Sequence, residues 1–223
     1  MDWTARTSIV IPGVAVLVGF GSMGVDLGVA SAFALQSVRE VSAWRVPPTA
    51  ATLKSVKDNL NYASSRAPAD PTVRELLGVV SARGGSSPEN LDDARSYFEE
   101  ALKLRPTSPY TWANLAAMKY RLGDTGKEFE AALVNAAAVG PFEPEVQGAV
   151  ALLGLAVWDE VAPATRRAID RMVAAGMKRN PLEMLQIAER RGRLDIACGH
   201  LADSPRRIGS KWAETCQSLE ATS

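Results

Sequence analysis

Few side chains in this sequence have the types and spacing that catalysis needs. The paired carboxylates Asp92-Asp93 and Glu99-Glu100 could share acid–base work, and His200, the only histidine, could act as a base. The carboxylates fall on the solvated side of an amphipathic helical pattern, however, and a lone histidine in a terminal helical turn is typical of a structural residue. The HExxH, GxSxG, P-loop and EF-hand signatures are also absent from the sequence. We therefore expect a protein that is not an enzyme.

Residues 19–24, GFGSMG, match the GxGxxG signature of dinucleotide-binding folds. Such a fold needs a second strand and further strand–helix units, but RVPPTAAT and then a helical pattern follow. The glycines also suit a membrane helix, in which Gly24, Gly28 and Ala32 would form a small-residue face for close helix packing. We therefore expect these glycines to pack a membrane helix, and we expect no cofactor.

The two cysteines, Cys198 and Cys216, lie near the C-terminus and outside any CxxC pair. With a single histidine they cannot supply the four ligands of a structural zinc site, so we expect no metal. An even count in an oxidising compartment favours a disulfide between them, and Pro205 and Gly209 allow a turn that brings two short helices together. Two reduced cysteines, buried as small apolar residues, are the alternative.

The N-terminal segment is apolar, and Asp26 is the only ionisable residue between positions 7 and 38. Residues 9–25 would span about 25 Å as a helix, which predicts a membrane-spanning segment with Asp26 near the far headgroups. Arg6 precedes the apolar run and Asp26 follows it, which favours a cytoplasmic N-terminus and an external C-terminal domain. A cleaved signal peptide, with small-x-small sites within residues 30–34, and a buried soluble element are alternatives.

The sequence becomes amphipathic after the stiff linker RVPPT at residues 45–49. The clearest helical phrase is LDDARSYFEEALKLRP, in which Ala94, Phe98 and Ala101 share one stripe and Pro106 ends the unit. These offsets resemble the second helix of a tetratricopeptide repeat (TPR), a pair of antiparallel helices. Related patterns occur at residues 56–68, 109–141 and 144–175.

The resemblance predicts an all-α, TPR-like helical-hairpin solenoid with one N-terminal transmembrane helix. Residues 1–45 would form the membrane anchor and juxtamembrane segment, and residues 46–223 the repeat domain with C-terminal capping helices. The repeat that begins at Pro109 departs from the family pattern in two ways: Lys119 stands at the tyrosine position, with Tyr120 after it, and the second helix resumes one residue late. Neighbouring hairpins would stack because no hairpin can bury its apolar stripe alone.

The first helix of each repeat lines the concave groove of such solenoids, where extended peptides bind. A tyrosine, an amide and a guanidinium separated by small residues could bind a peptide through hydrogen bonds to its backbone and carboxylates. The alternative is that the polar side chains are simply exposed. Four residues of the repeat that begins at Pro109 would face this groove: Tyr110, Asn114, Ala117 and Arg121.

Residues 109–158 show a narrower resemblance, to bacterial polysaccharide-biosynthesis proteins of the VpsP type. It is carried by GPFEP at residues 140–144, by Gln147 and Trp158, and by GRLD at residues 192–195. Members of that family have one N-terminal membrane segment and a TPR-like periplasmic domain. The family has no established active site to transfer to this chain.

These observations predict a periplasm-facing scaffold, anchored in the inner membrane by a single pass, that supports exopolysaccharide biosynthesis or export through protein–protein interaction. Its partners would be proteins of an envelope polysaccharide-assembly complex. Lys and Arg together equal Asp and Glu, 25 each, and no basic stripe is visible, so we expect no nucleic-acid partner. A TPR adaptor for secretion or pilus assembly is the first alternative. A glycan-acting or nucleotide-dependent enzyme is the second.

Overall fold

The computed structural model describes residues 28–29, 31–43, 46, 48–203 and 209–220, and all regular structure in these ranges is helical. The predicted all-α class is therefore confirmed. The helices are α1 (31–43), α2 (Ala50–Arg66), α3 (Pro71–Arg83), α4 (Pro88–Leu104), α5 (Pro109–Arg121), α6 (Lys127–Val139), α7 (Pro144–Ala156), α8 (Pro163–Arg179), α9 (Pro181–Arg190), α10 (Leu194–Cys198) and α11 (Ser210–Glu220), with a 3-10 turn at Leu201–Asp203.

Proline and capping side chains set where many of these helices begin. Proline occupies the start of α3, α4, α5, α7, α8 and α9, where its missing N–H costs no hydrogen bond and its fixed φ suits the helix. Asp70 caps α3 by accepting from the Thr72 N–H, and Ser87 caps α4 by accepting from the Asn90 N–H. These local signals are why the sequence alone locates most helix starts.

The helices pack as successive hairpins. Within each hairpin α3 packs on α4, α5 on α6, α7 on α8 and α9 on α10, and each hairpin also contacts the next. The first helices α5, α7 and α9 pack side by side, and so do the second helices α6 and α8. This neighbour-to-neighbour arrangement agrees with a helical repeat solenoid.

Two apolar clusters hold the stack together. One joins α1, α2 and α3, and the larger one runs from α4 to α11. The stripe predicted on α4 is buried as expected, with Ala94, Phe98 and Ala101 each no more than 1% exposed. The offsets that defined the repeat therefore mark the face of α4 that packs.

Alanine substitution at two glycines of α7 should have opposite effects on the free energy of unfolding. A Cβ at Gly154 would lie 2.5 to 3.0 Å from three side-chain atoms of Ile169, which is fully buried and branched at Cβ. We expect Gly154→Ala to lower the free energy of unfolding by about 1–2 kcal/mol, because overpacking outweighs the gain in helix propensity. Gly148→Ala is the matched control: its Cβ would meet Glu183 Oε1 at 3.6 Å, an ordinary contact, so it should raise that free energy by about 0.5–1 kcal/mol. Urea denaturation of both variants measures the difference, and equal effects would contradict the packing described here.

The predicted membrane span, residues 9–25, lies outside the described residues, as does Gly24. Among the residues that the structure describes, no helix is both long and apolar enough to cross a membrane. Gly28 and Ala32, the other members of the predicted small-residue face, are exposed. Farther along, Ala34 is buried in the first cluster and Phe33 packs edge-on against Tyr62, with ring centroids 5.2 Å apart. Residues 31–43, which the sequence groups with the anchor, therefore pack on the first repeat helices.

Candidate functional site

The four predicted groove residues form a stripe along one face of α5. The first of them, Tyr110, is hydrogen-bonded to the following hairpin. Tyr110 is 45% exposed, and its hydroxyl donates a hydrogen bond to Glu143 Oε2 at 2.6 Å, at the N-terminus of α7. This bond to a carboxylate raises the pKa of Tyr110 to about 12, with desolvation and the charges of Glu143 and Glu145 contributing. The Tyr110 ring is thus held in place while part of it faces solvent.

The last member of the stripe is tied to the preceding hairpin. Arg121 is exposed, and its guanidinium donates to Ser86 Oγ at 3.0 Å and to the Ala82 carbonyl at 3.5 Å. Asn114 and Ala117 lie half-buried between the two ends. The stripe therefore lies on one helix, with each end hydrogen-bonded to a neighbouring hairpin, which sequence reasoning did not anticipate.

The opposite face of α5 lines a cleft. At about 100° per residue, Trp112, Leu115 and Lys119 point away from the Tyr110–Arg121 stripe. They face the space between α4 and α6, two second helices that do not pack closely on each other although α6 and α8 do. The cleft has a volume of about 570 Å³, within the range of small-molecule sites. Its lining residues are Arg95, Glu99, Leu102, Lys103, Pro106, Trp112, Leu115, Lys119, Glu128, Ala131 and Asn135.

Lys119 is a buried charge at the base of this cleft. Its side chain is only 3% exposed, and its ammonium lies 2.6 Å from Glu128 Oε2 and 3.3 Å from Asp124 Oδ2. A third carboxylate, Glu99 Oε1, lies 3.6 Å away and is shared with Arg95 Nη1 at 2.8 Å. Burial lowers the pKa of Lys119, but the hydrogen bonds and charges of Glu128 and Asp124 outweigh it, so the pKa is raised.

A buried ion cluster of this kind adds little to stability, because desolvating the charges offsets their attraction. Buried charges in a cleft also occur at functional sites, so this cluster makes the cleft a candidate site. Sequence reasoning missed this cleft. The one available signal was the lysine at the position where the repeat family has a tyrosine, since a charge there needs partners from neighbouring helices.

Trp112 forms one wall of the cleft. Its indole N–H donates to the Pro106 carbonyl at 2.8 Å, which fixes the ring in a half-buried position. Because the only hydrogen-bond donor of the side chain is used, the indole offers a ligand its apolar ring.

The residues first considered for catalysis are engaged by neighbouring side chains. Asp92 and Glu99 both bind Arg95. His200 Nε2 lies 2.7 Å from Asp170 Oδ1, beside a second, smaller cleft of about 450 Å³ that Trp158 also lines. Within the described ranges, no group of three or more His, Cys, Asp or Glu side chains is placed to hold a metal ion.

The structure joins Cys198 and Cys216 in a disulfide, with Cα atoms 5.3 Å apart. The bridge fastens α11 to α10, and both sulfur-bearing residues are buried in the larger cluster. Trp212 of α11 is buried beside them, 8% exposed. The bridge therefore anchors the last helix to the end of the stack.

Comparison with known proteins finds no family model that matches this chain and no curated protein that is significantly similar to it.

Proposed function

We propose that this protein is a membrane-anchored periplasmic scaffold that binds proteins of an envelope polysaccharide-assembly complex. The observation that supports binding most directly is the stripe on α5, which is exposed at its two ends, half-buried between them, and held at both ends by neighbouring hairpins. A surface fixed before binding loses less conformational entropy when a partner docks. We also propose that its helical hairpins are TPR-like repeats.

The stripe offers specific contacts to an extended peptide. Arg121 has five N–H donors, of which the contacts to Ser86 and Ala82 use two, so the others can bind a partner carboxylate. Asn114 can pair with a peptide backbone, since its amide both donates and accepts. The exposed part of the Tyr110 ring adds apolar contact beside them.

The cellular setting is proposed from two further features. The uncharged run at residues 9–25 supplies the anchor, and the Cys198–Cys216 bridge suits an oxidising compartment. The resemblance to VpsP-type proteins supplies the pathway. Deleting the gene should abolish exopolysaccharide output; unchanged output with impaired secretion or pili would favour the adaptor alternative, and a glycan-modifying or nucleotide-dependent activity of the purified chain would favour an enzyme.

Arg121→Glu tests the protein-binding surface. We expect it to reduce co-purification of the native partner at least tenfold, because a carboxylate would repel the acidic group that the guanidinium binds. Co-purification of the tagged full-length chain from its own envelope, quantified by mass spectrometry, is the measurement. Helicity should be unchanged, since residue 121 is exposed at the end of α5.

The matched control is Arg171→Glu, the same charge reversal at an exposed position on α8. It should leave co-purification unchanged. If both variants retain the partner, the binding surface lies elsewhere. If both lose it, the effect is one of net charge and the stripe is not the site.

A further inference from the structure

We propose that the cleft between α4 and α6 binds an uncharged saccharide. The site lies on the opposite face of α5 from the protein-binding stripe and uses none of its residues. Its ligand class follows from three properties of the lining: compensated charges, mixed hydrogen-bonding capacity and an aromatic wall.

Four of the five charged side chains that line the cleft are paired with each other: Arg95 binds Glu99, and Lys119 binds Glu128. The fifth, Lys103, is exposed at the rim. A charged ligand would have to break one of these pairs, or give up its hydration for the weak, solvent-screened attraction of Lys103 alone. A neutral ligand can bind without either cost.

The lining has both donors and acceptors at its rim. Glu128 is 77% exposed at its side chain, so its carboxylate can accept from a ligand while it holds Lys119. Lys103 can donate, and the half-buried Asn135 amide can do both. Sugar hydroxyls are themselves donors and acceptors at once, so neighbouring hydroxyls of one ring match an alternation of carboxylate, amide and ammonium groups.

The apolar wall matches the other surface of a sugar ring. Trp112 presents its ring rather than its N–H, and Leu102, Leu115 and Ala131 extend that surface along the cleft. The C–H face of a pyranose is apolar and packs well on an aromatic ring. An aliphatic peptide side chain would fill the wall but leave the polar rim unused, which is why we favour the saccharide.

Filling the cleft tests the proposal without removing any of its ion pairs. Ala131 is an exposed residue of α6 on the cleft wall, and Ala131→Phe should occupy the space that the ligand needs. We expect the full-length chain to bind at least one of three probes, cellohexaose, mannohexaose or galactohexaose, in titration calorimetry. The affinity should fall at least tenfold in Ala131→Phe. The matched control, Ala164→Phe, is the same substitution at an exposed position on α8, outside the cleft, and should bind normally.

A second variant removes the aromatic wall. Trp112→Ala should also lose at least tenfold in affinity, whereas Trp158→Ala, in the smaller cleft, should not. Failure of all three probes to bind the wild-type chain at millimolar concentration would overturn the proposal, as would binding that survives both cleft variants. Tighter binding of a peptide than of any saccharide to this cleft would overturn it too.

The outcome is separable from that of the protein-binding proposal. Arg121→Glu should bind the saccharide as the wild type does, and Ala131→Phe should still co-purify with the protein partner. Either proposal can therefore be disproved while the other stands.

Discussion

Replacing Cys216 by serine should lower the free energy of unfolding by about 3 kcal/mol. The bridge to Cys198 closes a loop with a sequence separation of 18 residues, and such a loop restricts the unfolded chain by about this amount. The effect falls on one end of the stack of described helices, where α11 packs on α10. Without the bridge, we expect α11 to detach first and to expose the buried Trp212 ring.

Denaturation followed by circular dichroism and by tryptophan fluorescence measures both effects. Treating the wild type with a reductant should reproduce the variant, and the same reductant should leave Cys216→Ser unchanged. Cys198→Ser should match Cys216→Ser, and the double variant should be no worse than either. Two alkylatable thiols in protein isolated from its own envelope would contradict the bridge and remove its support for an oxidising compartment.

The fold was predictable from the sequence where the signals are local. Pro109 and Pro144 begin helices because a proline suits the first helical turn, and the Ala94–Phe98–Ala101 stripe is buried because its spacing follows the helix period. These features depend on a few residues of contiguous chain. The sequence of residues 91–106 therefore predicted both helix α4 and the face of that helix that is buried.

The candidate sites were less predictable because they depend on residues far apart in the chain. Tyr110 could be placed on an outer face, but its bond to Glu143 crosses 33 residues and fixes it to the next hairpin. The cleft could be predicted only by knowing that α4 and α6 are not in close contact. That separation depends on how the hairpins pack and not on either helix alone. Lys119, at a position where the TPR pattern has a tyrosine, marked the place without revealing its partners.

The double variant Asp124→Ala/Glu128→Ala should lower the free energy of unfolding by about 3 kcal/mol. It removes both hydrogen-bond acceptors of a Lys119 side chain that is 3% exposed, and leaves Glu99 at 3.6 Å as the nearest carboxylate. An uncompensated buried charge costs about 3–5 kcal/mol. We take the lower end because Asp124 and Glu128 are themselves 53% and 77% exposed at their side chains, so solvent screens these pairs.

Lys119→Met is the matched control, because it removes the other side of the same cluster. It should cost less than about 1 kcal/mol, since the carboxylates can hydrate and methionine packs where the lysine stem did. Adding Lys119→Met to the double variant should restore most of its lost stability. If the triple variant is no more stable than the double, the loss comes from the turn and the α6 N-terminus, and the buried ammonium is not its cause.

The pH dependence of unfolding gives an independent check on the same cluster. The folded-state pKa of Lys119 is raised above its ordinary value of 10.5, so folding binds this proton more tightly than the unfolded chain does. The resulting stability is fully present below pH 10.5 and is lost as the pH rises through the folded-state pKa. Relative to Lys119→Met, the wild type should therefore lose stability in this alkaline window and not at neutral pH. Parallel stability curves for the two proteins up to the folded-state pKa would mean that the carboxylates do not hold the lysine in its charged form.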